Sequence, residues 1–192
     1  MDTLIENASF ICLDTETTGL YPLQGGRICE VALLVSRDGA RVNSFSTLLN
    51  PQVIMLPEVI AIHGITNEMV AGSPVFEEIA PKLISILQDN VLICHNADFD
   101  VSFLENEFNL IGLKMPPVTI LDTLKFARRH GNFASNRLGN IAKCLGISSD
   151  GWHRAMADAV MTEKIFYHFL CNFQRAGAKT VADLYRLQNN KI

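Results

Sequence analysis

Asp14 and Glu16 stand one residue apart in FICLDTETTGL, residues 10–20, directly after the apolar run Phe10, Ile11, Cys12 and Leu13. Side chains alternate along a strand, so the two carboxylates share one face. Thr17, Thr18 and Gly19 then form a turn, which sets the pair at a strand end, where open sheets collect their ligand sites. Like charges close together in a partly buried position repel unless a proton or a cation intervenes. A hard divalent ion bound by oxygen answers that need, so the chemistry to expect is that of a metal ion on carboxylates.

More carboxylates should converge on the same spot. In the helix expected over 97–111, periodicity of about 100° per residue gathers Phe99, Val101, Phe103, Leu104, Phe108, Leu110 and Ile111 on one arc. Asp100 falls near the middle of that arc, whereas Asp98 lies on the wet side with Ser102, Glu105 and Asn109. A carboxylate inside an apolar stripe needs a partner. Glu107 also falls on the arc, where a structural ion pair would account for it. The last long helix, expected over 154–173, repeats the pattern, with Asp158 among Ala155, Thr162, Ile165, Phe166 and Phe169. Alanines at 155, 157 and 159 allow close approach to other backbone. His153 precedes this helix, after Gly151 and Trp152.

These residues need a scaffold. Strands are expected over 8–14, 27–36 and 41–49, the last two joined by a tight Asp38-Gly39 hairpin. Short helical turns follow over 57–63 and 67–70. A helix over 75–88 has Ser73 as N-cap and Pro74 in its first turn. VLIC, residues 91–94, reads as a short buried strand. Further helices begin at Asp122, most simply an N-cap, and near Arg137. Strands first, then strands alternating with helices, indicate an α/β domain with a mixed sheet.

The bulk properties agree. A chain of 192 residues with 48% hydrophobic and 19% charged content suits one soluble domain. The expected organisation is one domain over 1–175 with a short helical extension over 176–192. No apolar run reaches the roughly 20 residues of a membrane helix, and the start MDTLIENAS lacks signal-peptide character, so a cytoplasmic protein is expected. The 5 cysteines form no C-x-x-C pair and read as small core residues in a reducing compartment. A net charge of -4 excludes a generic basic nucleic-acid coat. From Lys125 to Arg154, however, Lys125, Arg128, Arg129, Arg137, Lys143 and Arg154 face only Asp150. That stretch is either a solvated face or a patch for a polyanion. Asn136 and Arg137 could meet phosphates or cap a loop, and Glu30 reads as a paired strand residue.

LDTETTG, HNADFD and HRAMAD, in that order, resemble the motifs of the DEDDh family of 3'→5' exonucleases, which includes the proofreading (epsilon) subunit of bacterial DNA polymerase III. The resemblance spans about residues 8–170 and implies a ribonuclease H-like fold, a five-stranded mixed sheet flanked by helices. It implies Asp14, Glu16, Asp100 and Asp158 as ligands of two Mg²⁺ or Mn²⁺ ions, with Asp14 bridging both. It implies His153 as general base; the sister group carries tyrosine at position 154, which here is Arg154. In LPEVIAIHGIT, Glu58 and His63 match the residues that touch the terminal nucleotide, and Thr17 and Phe99 are implied beside them. From the residues alone, Glu58 also reads as a solvated helix-start carboxylate and His63 as a buried histidine held by loop backbone.

The implied reaction is two-metal hydrolysis of a phosphodiester at the 3' end of single-stranded or frayed DNA, releasing a nucleoside 5'-monophosphate. An ordinary histidine, with a pKa of about 6.5, is neutral and able to accept a proton near pH 7. The implied setting is DNA replication or repair, with a DNA polymerase as a partner class. A 3'→5' exoribonuclease shares the motifs, because discrimination depends on contacts to the 2'-OH. A non-catalytic nucleic-acid or polymerase-binding subunit is the reading from another class, and buried charges of this kind argue against it. After the third motif the sequence AGAKTVADLYRLQNNKI predicts one more short helix. It offers neither a polymerase-binding tail nor a sliding-clamp peptide, so a stable replicase role is not expected.

Overall fold

A computed structural model describes residues 2–148 and 153–189. Asp150, Gly151, Trp152 and the last residues of the C-terminal extension, 190–192, lie outside the described residues. The first strand, β1 (Ser9–Thr17), is longer than expected and carries Asp14 and Glu16 within it. It occupies the middle of a five-stranded sheet of order β3-β2-β1-β4-β5. β2 (Ile28–Arg37) and β3 (Ala40–Leu48) run antiparallel to their neighbours. β4 (Val91–Cys94) and β5 (Thr119–Asp122) run parallel to β1 and to each other. The β2–β3 turn is the expected two-residue hairpin: Arg37 pairs with Ala40, and Asp38 and Gly39 take φ of 51° and 74°. Positive φ at both positions is what such a turn requires, and Asp and Gly tolerate it.

Alternation along β1 divides the core. Ile11 and Leu13 pack with α3 (Phe76–Leu87) and α4 (Ala97–Leu110) on one face. Phe10 and Cys12 pack with α5 (Thr123–His130), α6 (Leu138–Cys144), α7 (Ala155–Arg175) and α8 (Val181–Asn189) on the other. Two short helices, Pro57–His63 and Asn67–Val70, follow β3 as expected. Ala155 and Ala159 are fully buried against Ala32 and Leu34 of β2, so the alanines do bring α7 onto the sheet. Side-chain burial of this kind, over both faces, is what fixes the register of β1.

Several expectations need correction. Ser73 does not cap α3. The Pro74 carbonyl accepts from Asn50 N–H, and the helix starts at Phe76, with the Glu78 carboxylate accepting from Val75 N–H at 2.8 Å. Leu110 is exposed, because it turns outward at the last residue of α4. Of the cysteines, Cys12, Cys29 and Cys94 are buried strand residues, while Cys144 and Cys171 are exposed on the outer faces of α6 and α7. No periodicity in the sequence announces β5, a segment only four residues long with no alternation to reveal it.

Candidate active site

Asp14 and Glu16 project from the last half of β1 on the face that receives the start of α7. There they meet Asp158, in the first turn of α7, and one oxygen from each of the three lies within 4.8 Å of the others. Asp158 Oδ1 is buried without a hydrogen-bond partner among the described residues. Asp100, in the first turn of α4, arrives from the opposite face and is 3% exposed. Thr15, which points that way because it sits between the two acids, holds it. The Thr15 N–H and hydroxyl donate to Asp100 Oδ1 at 3.0 and 2.8 Å.

The electrostatics are those of crowded anions. Burial pushes the Asp14 carboxyl well above its ordinary value, and the charges of Asp100, Asp158, Glu16 and Glu30 add to the shift. Burial likewise raises Glu16 to about 8, with Asp158, Glu30 and Asp100 adding and Arg154 opposing. Asp100 is raised by burial to about 7, against the hydrogen bonds from Thr15. Asp158 is raised by burial to about 6, against the backbone N–H of His153. Glu16, Asp100 and Asp158 thus take up protons near neutral pH when nothing else compensates them, and Asp14 shifts in the same direction. An all-oxygen donor set with an orphaned buried oxygen suits Mg²⁺ or Mn²⁺.

A fifth carboxylate, Glu30, is opposite Glu16 across β1 and β2 and is 3% exposed. It is paired, as its sequence context suggests. Arg154 Nη2 and Nε donate to its two oxygens at 2.7 and 3.1 Å, and the Ala155 N–H donates at 2.9 Å. The clamp fixes the entry to α7 beside His153, an exposed residue with φ of 63°. Left-handed backbone at a non-glycine residue stores strain that the surroundings must hold. Glu107, in contrast, belongs to the scaffold. Arg27 donates to it twice at 2.8 Å and Ile28 N–H once at 3.0 Å.

Of the expected nucleotide contacts, Thr17 and His63 lie side by side. Thr17 is buried, with its hydroxyl donating to the Gly19 carbonyl at 2.7 Å. His63 is 5% exposed, its Nδ1 accepting from Ile65 N–H at 3.0 Å and its Nε2 3.9 Å from Cys29 Sγ. Burial lowers its pKa, against a hydrogen bond to the Thr17 backbone. Glu58 is exposed at the start of its helix, and Phe99 is half-buried against Phe103, ring centroids 5.0 Å apart. Thr15 and the Arg154–Glu30 clamp escaped the sequence reading. Alternation alone turns Thr15 toward α4, but nothing local announces a pair 124 residues apart.

Comparison with known proteins gives a consistent picture. A family model described as exonuclease matches residues 11–166. A PolC-type DNA polymerase III of Caldanaerobacter subterraneus subsp. tengcongensis is 32% identical over 176 residues, 91% of this chain and 12% of that protein. The 3'-5' exonuclease DinG of Bacillus subtilis is 30% identical over 184 residues, 95% of this chain and 20% of that protein. The chain therefore spans a fifth or less of the length of these two relatives. Among solved structures, an exonuclease X in complex with 5' overhanging duplex DNA superposes with a TM-score of 0.73 at 27% identity. That superposition covers 93% of this chain and 99% of the other. The mixed sheet and its flanking helices are the ribonuclease H-like fold.

Proposed function

The chain belongs to the exonuclease family, and from that premise we propose that it hydrolyses phosphodiester bonds one at a time from the 3' end of DNA. The product is a nucleoside 5'-monophosphate. The observation that carries this reading is the convergence of Asp14, Glu16 and Asp158 from two elements, with Asp100 reaching them from a third. Their donor chemistry fits two divalent cations, Mg²⁺ or Mn²⁺, held by these four carboxylates. Bound there, such ions supply an activated water and charge stabilisation at the leaving oxygen.

The chain's own residues do the rest. His153, exposed at the mouth of α7, accepts the proton of the attacking water and returns it to solvent. The Glu30 clamp holds His153 and Asp158 on one turn of backbone, so base and ligand keep a common position. Thr17, Glu58, His63 and Phe99 receive the terminal nucleotide, and His63 is also hydrogen-bonded to the Thr17 backbone. DNA as the substrate class is supported by the structural neighbour in complex with duplex DNA, whose superposition covers 93% of this chain. Proofreading or repair in the cytoplasm is the setting, and a polymerase partner is carried over from the PolC-type relative. Among the described residues no helix is long and apolar enough to cross a membrane.

The test is digestion of matched 5'-labelled DNA and RNA oligomers with Mg²⁺. Stepwise shortening of the DNA from its 3' end, lost in Asp14→Asn and Asp158→Asn with the fold retained, is the expected result. Internal cuts, or undiminished turnover in both variants, overturn the reading. Faster shortening of the RNA moves the substrate class to RNA ends.

A further inference from the structure

The basic stretch that the site leaves unused has a definite address. Lys125 pairs with Asp98 and Arg154 with Glu30. Arg128 and Arg137 are exposed and have no carboxylate or hydrogen-bond partner for their guanidinium groups among the described residues. Both line one groove of about 550 Å³, together with His95, Asn96 and Asn136. The groove is not a random surface dip. β1 and β4 pair in parallel with Cys12 opposite Ile93. Continuing that register brings His95 level with Asp14. The groove thus opens at the same end of the sheet as the carboxylates and runs out over the parallel half.

Its wall is braced from inside. His95 Nε2 lies 3.0 Å from the Asn136 carbonyl, which only accepts, so the nitrogen carries the proton. Its Nδ1 then accepts from the Thr123 hydroxyl at 2.9 Å. This neutral imidazole ties the loop before α6 to the start of α5, the helix that carries Arg128. Two guanidinium groups without an acceptor suit a polar, anionic chain, and phosphodiester oxygens are the acceptors that guanidinium forks match best.

We propose that this groove is a track for the sugar-phosphate backbone of the strand being degraded, 5'-ward of its reacting 3' end. The inference rests on the proposed nucleic-acid substrate, and it gives the track a purpose. A net charge of -4 and a cluster of carboxylates repel a polyanion, so local cations must offset them where the strand leaves the site.

The experiment is fluorescence anisotropy of a labelled (dT)12 oligomer, without added metal, over a range of salt concentrations. Arg128→Gln/Arg137→Gln is compared with wild type and with Arg129→Gln/Lys143→Gln, which removes the same charge outside the groove. The groove pair should weaken binding about tenfold at low salt and reduce the log–log salt slope by about 1.4, two single-strand phosphates' worth. The control pair should bind nearly as wild type does. Equal losses in both pairs, an unchanged slope in the groove pair, or no binding by wild type overturns the proposal. Hydrolysis of thymidine 5'-p-nitrophenyl phosphate, which has no upstream strand, is read separately. It should be equal in wild type and the groove pair, and its absence from wild type counts against the enzymatic reading and not against the track.

Discussion

Glu16 holds a proton at neutral pH unless a cation stands beside it, and that property is measurable in the absence of substrate. Burial raises Glu16 to about 8, Asp100 to about 7 and Asp158 to about 6, against ordinary carboxylate values of about 4. The folded state therefore binds more protons than the unfolded chain between about pH 4 and pH 8. The stability these groups contribute is complete at the acid end of that window and is lost as pH rises through their folded values. In EDTA the melting temperature should fall by roughly 5 °C or more between pH 5.5 and 8.5. Millimolar Mg²⁺ or Mn²⁺ should remove most of that fall. A metal-free melting curve that is flat, or that rises with pH, contradicts the assignment of these shifts. At the same scale, His153→Ala should lower kcat about 100-fold with KM little changed, read by steady-state kinetics on a DNA oligomer. These residues were legible because alternation and helical period give the facing of Asp14, Glu16, Asp100 and Asp158. The pairing of Glu107 with Arg27 was not, since the two are 80 positions apart and meet only through packing of α4 on β2.

At the scale of elements, the site depends on how α7 meets the sheet. Its alanines allow the approach, and the Glu30 clamp fixes the angle of entry. Glu30→Ala leaves the Ala155 N–H and a half-exposed guanidinium without their acceptor. It should destabilise the fold by about 2 kcal/mol, a drop of roughly 6 °C in melting temperature. Because His153 and Asp158 flank the clamp, kcat should also fall about tenfold at a temperature where the variant is folded. A variant that melts as wild type does and keeps its kcat shows the clamp to be incidental. Helices with long apolar arcs and the Asp38-Gly39 hairpin were readable because local chemistry decides them. The start of α3 was not, because a long-range hydrogen bond from Asn50 captures Pro74. β5 was not, because two half-buried residues followed by two buried ones carry no period.

For the whole molecule, β1, α4 and α7 bring every proposed ligand to one end of the sheet, and the basic groove continues from it. On the proposed reading the protein acts on ends. Blocking the 3'-hydroxyl with phosphate should slow release of the last nucleotide at least about tenfold, as seen by gel analysis of labelled oligomers, because the clustered carboxylates then meet an added dianion. Equal rates on blocked and free ends point to internal cleavage. The central claim is that the carboxylates from β1, α4 and α7 form one cation site. Titration calorimetry of Mn²⁺ into the protein with thymidine 5'-monophosphate, at pH 7.5, tests it most directly. The account predicts saturable uptake by wild type and its loss in a folded Asp14→Asn variant; no saturable uptake, or equal uptake by the variant, contradicts it.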